Sequence, residues 1–284
     1  MPDLFLMVII GLTLAVLLAA SYSDIRIREV PDWLSYGFLF AALGIRAIFS
    51  FGSGWEIILS GILGFAVFFL LSLFFYYTNQ WGGGDSKILM GMGAAIGIAF
   101  PFSASSWNLL WFFLSLLFLG AVYGLLWMVY IAVRKGSPFI AEMKKTLLMH
   151  KKAQFGVGTL SALLAATGFI VPVMWLAALF AVAVLYLLLF VTTVEKVCFV
   201  ARISPSKLTE GDWLAEDVVV DGKLFMPRKT LEGDDLSKLT QLARQGKISY
   251  VTVKEGIPFL PSFLLAYAFI NFGAFNFMGL FSFI

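Results

Sequence analysis

Charge, cysteine and histidine are what this chain has least of. Asp, Glu, Lys and Arg make up 13% of its 284 residues, about half of the roughly 25% that a soluble domain carries. The single cysteine, Cys198, excludes an internal disulfide and a cysteine-based zinc site. The single histidine, His150, stands in the basic stretch "KKTLLMHKK" with no second soft ligand near it. It reads as a solvated interface residue, so no metal is expected. "GMGAAIG" at 91–97 has neither a preceding strand nor the correct third glycine of a dinucleotide fingerprint. The sequence holds no nucleotide loop, internal repeat or low-complexity segment, and neither a cofactor nor a nucleic-acid partner is expected.

What the chain does have is apolar length. Hydrophobic residues make up 61% of it, and 30 are phenylalanines, read as lipid-facing bulk. A bilayer-spanning helix needs about 20 predominantly apolar residues. Segments near 4–22, 33–51, 56–77, 86–102, 107–133 and 257–284 meet or approach that length. The stretch 155–194 is twice as long as one span needs and contains Gly168 and Pro172, so it reads as two helices joined by a turn near 168–173. The expected fold is therefore an all-α polytopic membrane protein of about eight transmembrane helices. The first span does not read as a signal peptide: no basic residue precedes it and no small-x-small site ends it.

Lysine and arginine orient the spans, because they mark cytoplasmic loops. Arg26 and Arg28 lie in 23–32, and Lys87 ends the loop 78–88. Arg134, Lys135, Lys144, Lys145, Lys151 and Lys152 lie in 134–155, and ten more lie in 195–256. The connections 52–55 and 101–107 have none. Both strongly basic regions can be cytoplasmic only if 155–194 crosses twice, which supports the hairpin independently. Arg46 alone falls inside a span; with Glu56 it flanks one outer loop, and the two can pair with each other or with lipid.

Residues 197–256 form the one sizeable polar unit, a small cytoplasmic α/β domain before the last helix. "KVCFVARI" reads as a strand and "DVVVDGKLFMP" as a hairpin turning at Asp221-Gly222. "DDLSKLTQLARQG" has helical spacing, with Leu236, Leu239 and Leu242 on one face, and "KISYVTV" closes the unit as a strand. The expected organisation is a transmembrane core at 1–196, the polar domain at 197–256 and a final transmembrane helix at 257–284.

Carboxylates in or beside membrane helices are costly and often functional. Outside the polar domain there are eight: Asp3, Asp24, Glu29, Asp32, Glu56, Asp85, Glu142 and Glu195. The charge map puts Asp24, at the end of the first span, and Asp85, at the head of the fourth, at one depth on the cytoplasmic boundary. Two facing carboxyls cannot both ionise easily, so they titrate as a pair. One can then take a proton from water while the other polarises a carbonyl. Gly82, Gly83 and Gly84 leave room for a substrate backbone, or for the other aspartate's helix, to come close. Gly93 and Gly97 form a small-xxx-small face for helix packing. Lys87 can bind lipid phosphate or bias Asp85 toward ionisation. Plainer readings stand beside these. Asp85 can be a helix N-cap after a glycine loop, Asp24 can pair with Arg26 or Arg28, and Asp32 after Pro31 reads as the N-cap of the second helix.

"GGGDSKILMGMGAAIG" and "DIRIREVPDWLS" together resemble the two aspartate segments of the type IV prepilin peptidases, GxGD aspartyl proteases that include the archaeal preflagellin peptidases. "GIPFLPSFLLAY" resembles the opening of the last helix in archaeal members. The resemblance covers the first hundred residues well and the last span loosely. It implies a membrane aspartyl endopeptidase that removes the short basic leader of pilin-like or archaellin precursors at the cytoplasmic face of the cell membrane. The catalytic aspartates map onto Asp24 and Asp85, and the motif glycines onto Gly82 and Gly84. Bacterial members carry a large loop with C-x-x-C pairs between the first two spans. Here that connection is about ten residues without cysteine, so no N-methyltransferase activity is expected. The family's usual Ile-Pro-Asn is Val30-Pro31-Asp32 here, which puts a third carboxylate near the site.

Two other classes remain open. Presenilin and signal-peptide-peptidase relatives share GxGD, but Tyr22 is two residues from Asp24, and "IPFLP" is not Pro-Ala-Leu. A transporter or pilus-assembly anchor is the non-enzymatic reading, with basic loops docking an acidic partner or anionic membrane lipids.

Overall fold

The computed structural model describes residues 2–78, 80–220, 222–254 and 256–273. Among them, five helices are long and apolar enough to cross a membrane: Leu4–Ile27, Asp32–Ser53, Glu56–Tyr77, Ala104–Lys135 and Val173–Val197. The chain is mostly helical, with one small sheet region, and divides into two compact units. The first comprises Met1–Leu125 and Ile257–Ile284, the second Leu126–Gly256.

The first unit is built from α1 (Pro2–Ile27), α2 (Asp32–Ser53), α3 (Glu56–Tyr77), α4 (Gly83–Ile96), the start of α5 (Asn108–Lys135) and α10 (Leu260–Ala268), which continues as a π-helical turn, Phe269–Gly273. The expected last span, 257–284, is described only this far; its residues 274–284 lie outside the described residues. The core of the unit gathers Leu17, Phe38, Ile88, Leu89, Met92, Phe112, Leu116, Leu260 and Phe263, all almost fully buried. Lipid is as apolar as leucine, so close packing rather than hydrophobic transfer must hold such helices together. Glycines provide it. A Cβ on Gly64 of α3 would strike the Gly93 carbonyl of α4 and stand 2.7 Å from Gly97 Cα, so the two backbones touch. The expected small-residue face of α4 is thus a contact face for α3.

The span expected at 86–102 is shorter than anticipated. At 14 residues, α4 is about 21 Å long, less than the roughly 30 Å of a bilayer's apolar core. It stops at Gly97, whose φ of +74° suits glycine. Carbonyls freed within apolar packing must find donors, and Arg46 supplies them. Its guanidinium donates to the carbonyls of Ala95 at 2.8 Å and Ile96 at 2.9 Å, to the Ile57 carbonyl at 3.0 Å, and to Ser60 Oγ. The Ile98 amide then bonds the Ser60 carbonyl at 2.9 Å, so the non-helical continuation leans on α3. Arg46 is therefore 4% exposed and serves the end of α4, not Glu56 or lipid as its place in the sequence suggests.

The second unit carries α6 (Ser137–Met149), α7 (Lys151–Thr167) and α8 (Val173–Val197). The basic stretch 134–155, expected as a loop, is mostly helical. Pro138 falls in the first turn of α6, where its missing N–H costs nothing, and Phe139 packs on Phe190 of α8. The expected helical hairpin is present, with a turn over 168–172 between α7 and α8. Ser161 Oγ donates to the Ala178 carbonyl across it at 3.2 Å.

The sheet region follows. β1 (Val200–Ile203) and β2 (Trp213–Leu214) flank β5 (Val251–Lys254), all antiparallel. β3 (Val218–Val220) pairs with β4 (Lys223–Met226) as the expected hairpin. Its turn glycine, Gly222, has φ +77°; Asp221 lies outside the described residues. α9 (Gly233–Arg244) buries Leu239 and Leu242 and is capped by a reciprocal Glu232–Asp235 box. Leu214, Leu231, Val251 and Val253 complete its small apolar core. Lys229 bonds Asp235 at 2.7 Å, and this contact holds the Asp235 carboxyl below its ordinary range while raising the Lys229 ammonium.

Candidate active site

Asp24 sits in the last turn of α1, 8% exposed. Its Oδ2 accepts the Leu260 amide at 2.9 Å, and the Phe259 amide also donates to this carboxylate. These are the free donors at the N-terminus of α10, where a helix presents positive potential. The chain then reverses sharply. The Arg28 amide bonds the Asp24 carbonyl at 3.0 Å, and Ser23 Oγ bonds the Glu29 carbonyl at 2.7 Å. Arg28 adopts φ +58°, a left-handed conformation that costs a non-glycine residue about 1–2 kcal/mol. Its guanidinium lies within electrostatic reach of Asp24, and so does Tyr123 on α5. Arg26 is elsewhere, over the Tyr22 ring.

Asp85 lies in the first turn of α4, partly buried. The N-cap is Gly82, which has no side chain to cap with, so Asp85 is not the cap. It stands at N3 and its carboxylate reaches back to the Gly82 amide, which is half of a capping box. Asp24 and Asp85 are near enough to feel each other's charge.

The glycines explain how two separate helices bring these groups together. A Cβ on Gly84 would stand 3.2 Å from Val30 Cγ2 and 3.3 Å from Val30 Cβ, tighter than ordinary contact. The backbone of α4 therefore abuts the α1–α2 connection, six residues beyond Asp24. Of the two possible visitors, substrate backbone or the other aspartate's segment, Gly84 accommodates the second. Gly83 and Gly82 are less crowded; a Cβ there would meet Tyr76 and Asp85 respectively, each at 3.9 Å.

Lys87 turns away from Asp85. It pairs with Asp32 at 2.5 Å and lies over the Tyr36 ring. Asp32 makes no capping bond at the start of α2, so the third carboxylate is the partner of Lys87 and joins the head of α4 to the head of α2.

Sequence reasoning missed two elements. One is the pair of amides at Phe259 and Leu260, which no side-chain pattern reveals. The other is Trp81, stacked on Phe75 at 4.6 Å and packed against Phe259 and Phe263 of the α10 entry. This aromatic clamp ties the glycine loop to the segment that holds Asp24. Its sequence signal was a tryptophan directly before three glycines, together with the phenylalanines of "IPFLPSF". Among the described residues, no three His, Cys, Asp or Glu side chains cluster as metal ligands would.

Residues 11–129, which include both aspartates and the glycine loop, match the Type IV leader peptidase family. The resemblance read from the two aspartate segments is thus borne out. A preflagellin peptidase of Methanococcus voltae is 33% identical over 143 residues, 47% of this chain and 61% of that protein. The preflagellin peptidases of Methanocaldococcus jannaschii and Methanococcus maripaludis are 36% and 32% identical over 81 and 85 residues. Those two matches span 28% of this chain each, and 34% and 35% of the respective relatives. The aligned stretches therefore cover from about a third to 61% of these archaeal relatives. No solved structure matches.

Proposed function

We propose that the chain is a membrane aspartyl endopeptidase that removes the short basic leader of archaellin-like or pilin-like precursors, with Asp24 and Asp85 as the reacting pair. The observation that carries this reading is the approach of two carboxylates from different helices, one tethered by the amides of α10 and the other at the open head of α4. The family match over both segments and the preflagellin peptidase relatives support it.

The chemistry follows from like charges at close range. Two such carboxyls share a proton more readily than they both ionise. The ionised member takes a proton from water, and the hydroxide oxygen bonds to the scissile carbonyl carbon. The protonated member hydrogen-bonds the carbonyl oxygen and gives up its proton as that oxygen gains charge. Collapse of the tetrahedral intermediate breaks the C–N bond. The proton taken from water passes to the leaving amine, and as the carbonyl re-forms a hydroxyl of the intermediate returns its proton to the other carboxylate, so the pair is again singly protonated.

In this reading the chain crosses the cell membrane about eight times. Residues 1–196 and 257–284 form the membrane part, and 197–256 a cytoplasmic domain. The site opens at the cytoplasmic face, and no methyl transfer accompanies cleavage. The lysine and arginine distribution supports that orientation.

The test is cleavage of a pilin-like precursor in membranes. The unaltered protein is expected to release the leader, while Asp24→Asn and Asp85→Asn each lose about a thousandfold or more in rate. Wild-type cleavage by either variant contradicts the assignment.

A further inference from the structure

Each aspartate is held by a helix that begins at the site and runs away from it. Asp85 rides on the first turn of α4, and Asp24 is tethered to the first amides of α10. The far ends of these supports meet one residue. Arg46 donates to the Ala95 and Ile96 carbonyls that end α4, about 15 Å along the helix from Asp85. The same guanidinium lies within electrostatic reach of Tyr267 on α10, two turns beyond Leu260. The Tyr267 hydroxyl also bonds Thr13 of α1, the helix that carries Asp24. Phe5, near the start of α1, has its ring 5.3 Å from the guanidinium. The Ile57 carbonyl and Ser60 Oγ of α3 complete the shell.

The surroundings leave space for this one side chain. A methyl at Gly61 would fall on Arg46 Cδ, and one at Gly97 would stand 2.7 Å from a guanidinium nitrogen. A buried arginine costs a great deal unless its donors are used, and here three of the four acceptors are backbone carbonyls that the short α4 and the head of α3 expose.

We propose that Arg46 is a positioning residue for the aspartate pair: by gripping the far end of α4 beside α1 and α10, it fixes the separation of Asp24 and Asp85. This rests on reading those two aspartates as the reacting pair. Arg46 touches neither, so its effect must pass through helix placement. A displacement of about 1 Å at a reacting centre is enough to cost about a hundredfold in rate.

Two measurements on the full chain in membranes separate this proposal from the peptidase reading. The first is precursor cleavage, resolved into kcat and KM. The second needs no activity: in a Cys198→Ser background, Asp24→Cys and Asp85→Cys are combined, and the rate of joining by a short bis-maleimide reagent is followed per inserted molecule. Arg46→Gln is expected to lower kcat by about tenfold or more, leave KM within about threefold, and slow cross-linking. Arg46→Lys, which keeps a donor but loses the fork, is expected to recover part of both. Gly61→Ala, which displaces the guanidinium without removing it, is expected to behave like Arg46→Gln and carries the test if Arg46→Gln fails to accumulate. Slowed cross-linking without precursor cleavage by the parent chain would uphold the positioning role and overturn the peptidase reading. Unchanged turnover and cross-linking in Arg46→Gln, or in Gly61→Ala, would overturn the positioning role.

Discussion

The two units handle charge in opposite ways. Among the described residues, the first unit buries two charged side chains, Asp24 and Arg46, and both bond backbone at helix ends. In the second unit Lys144, Lys145, Lys151 and Lys152 are exposed, and the one buried charge among the described residues, Asp235, is answered by Lys229. A charge inside apolar packing is too expensive to keep without a task. In the first unit both charges bond backbone groups left over at helix ends; in the second the charge caps one surface helix. The family match, residues 11–129, lies almost wholly within the first unit and includes both Asp24 and Arg46.

The largest effect within the first unit is expected at the contact that lets the aspartate segments meet. Gly84→Val forces branched carbons into Val30. Precursor cleavage is expected to fall by about a hundredfold with membrane insertion intact. Adding Val30→Ala is expected to restore part of it. Full activity of Gly84→Val would mean that the glycine loop is only a linker.

A smaller effect is expected at the carboxylate outside the pair. Asp32 is 67% exposed and bound to Lys87, and such a pair contributes at most about 1 kcal/mol. Asp32→Asn should therefore reduce cleavage no more than about fivefold. A loss as large as that of Asp85→Asn would bring Asp32 into the reacting set.

The smallest effect on cleavage belongs to the second unit. Asp235→Ala is expected to leave turnover unchanged while speeding hydrogen exchange of the α9 amides, because it removes one half of the capping box. The pH dependence follows from the directions of the two shifts. The carboxyl lies below its ordinary value, so its contribution is present above about pH 4 and lost as pH falls through the lower folded value. The Lys229 ammonium is raised, so its contribution holds below about pH 10 and is lost as pH rises through the higher folded value. Protection of α9 should accordingly be level through the neutral range and fall at both extremes. A fall near neutrality would contradict the pairing.

Much of this was legible in the chain. Apolar length marked the long helices, and Gly168 with Pro172 marked the hairpin. The motif "GGGD" and the segment around Asp24 marked the candidate pair. What stayed hidden was whatever depends on backbone in three dimensions. The amides that hold Asp24 belong to Phe259 and Leu260, more than 200 residues away, and any residue there except proline could supply them. The true length of α4 was hidden because its stop is enforced by Arg46, fifty residues earlier, where an isolated charge suggested a loop-facing or lipid-facing role. The lipid-facing reading of phenylalanine failed at Phe38, Phe112 and Phe263, which are fully buried. In a membrane protein the inside and the outside of the bundle are equally apolar, so composition does not separate them.

The most direct test of the account is a double-mutant comparison at the pair. Cleavage is measured for Asp24→Asn, Asp85→Asn and the two combined, each against the unaltered chain. Groups that act as one machine fail together, so the double variant is expected to be no slower than the slower single variant, within about threefold. Losses that multiply would show two independent contributions, and the shared-proton mechanism would be wrong.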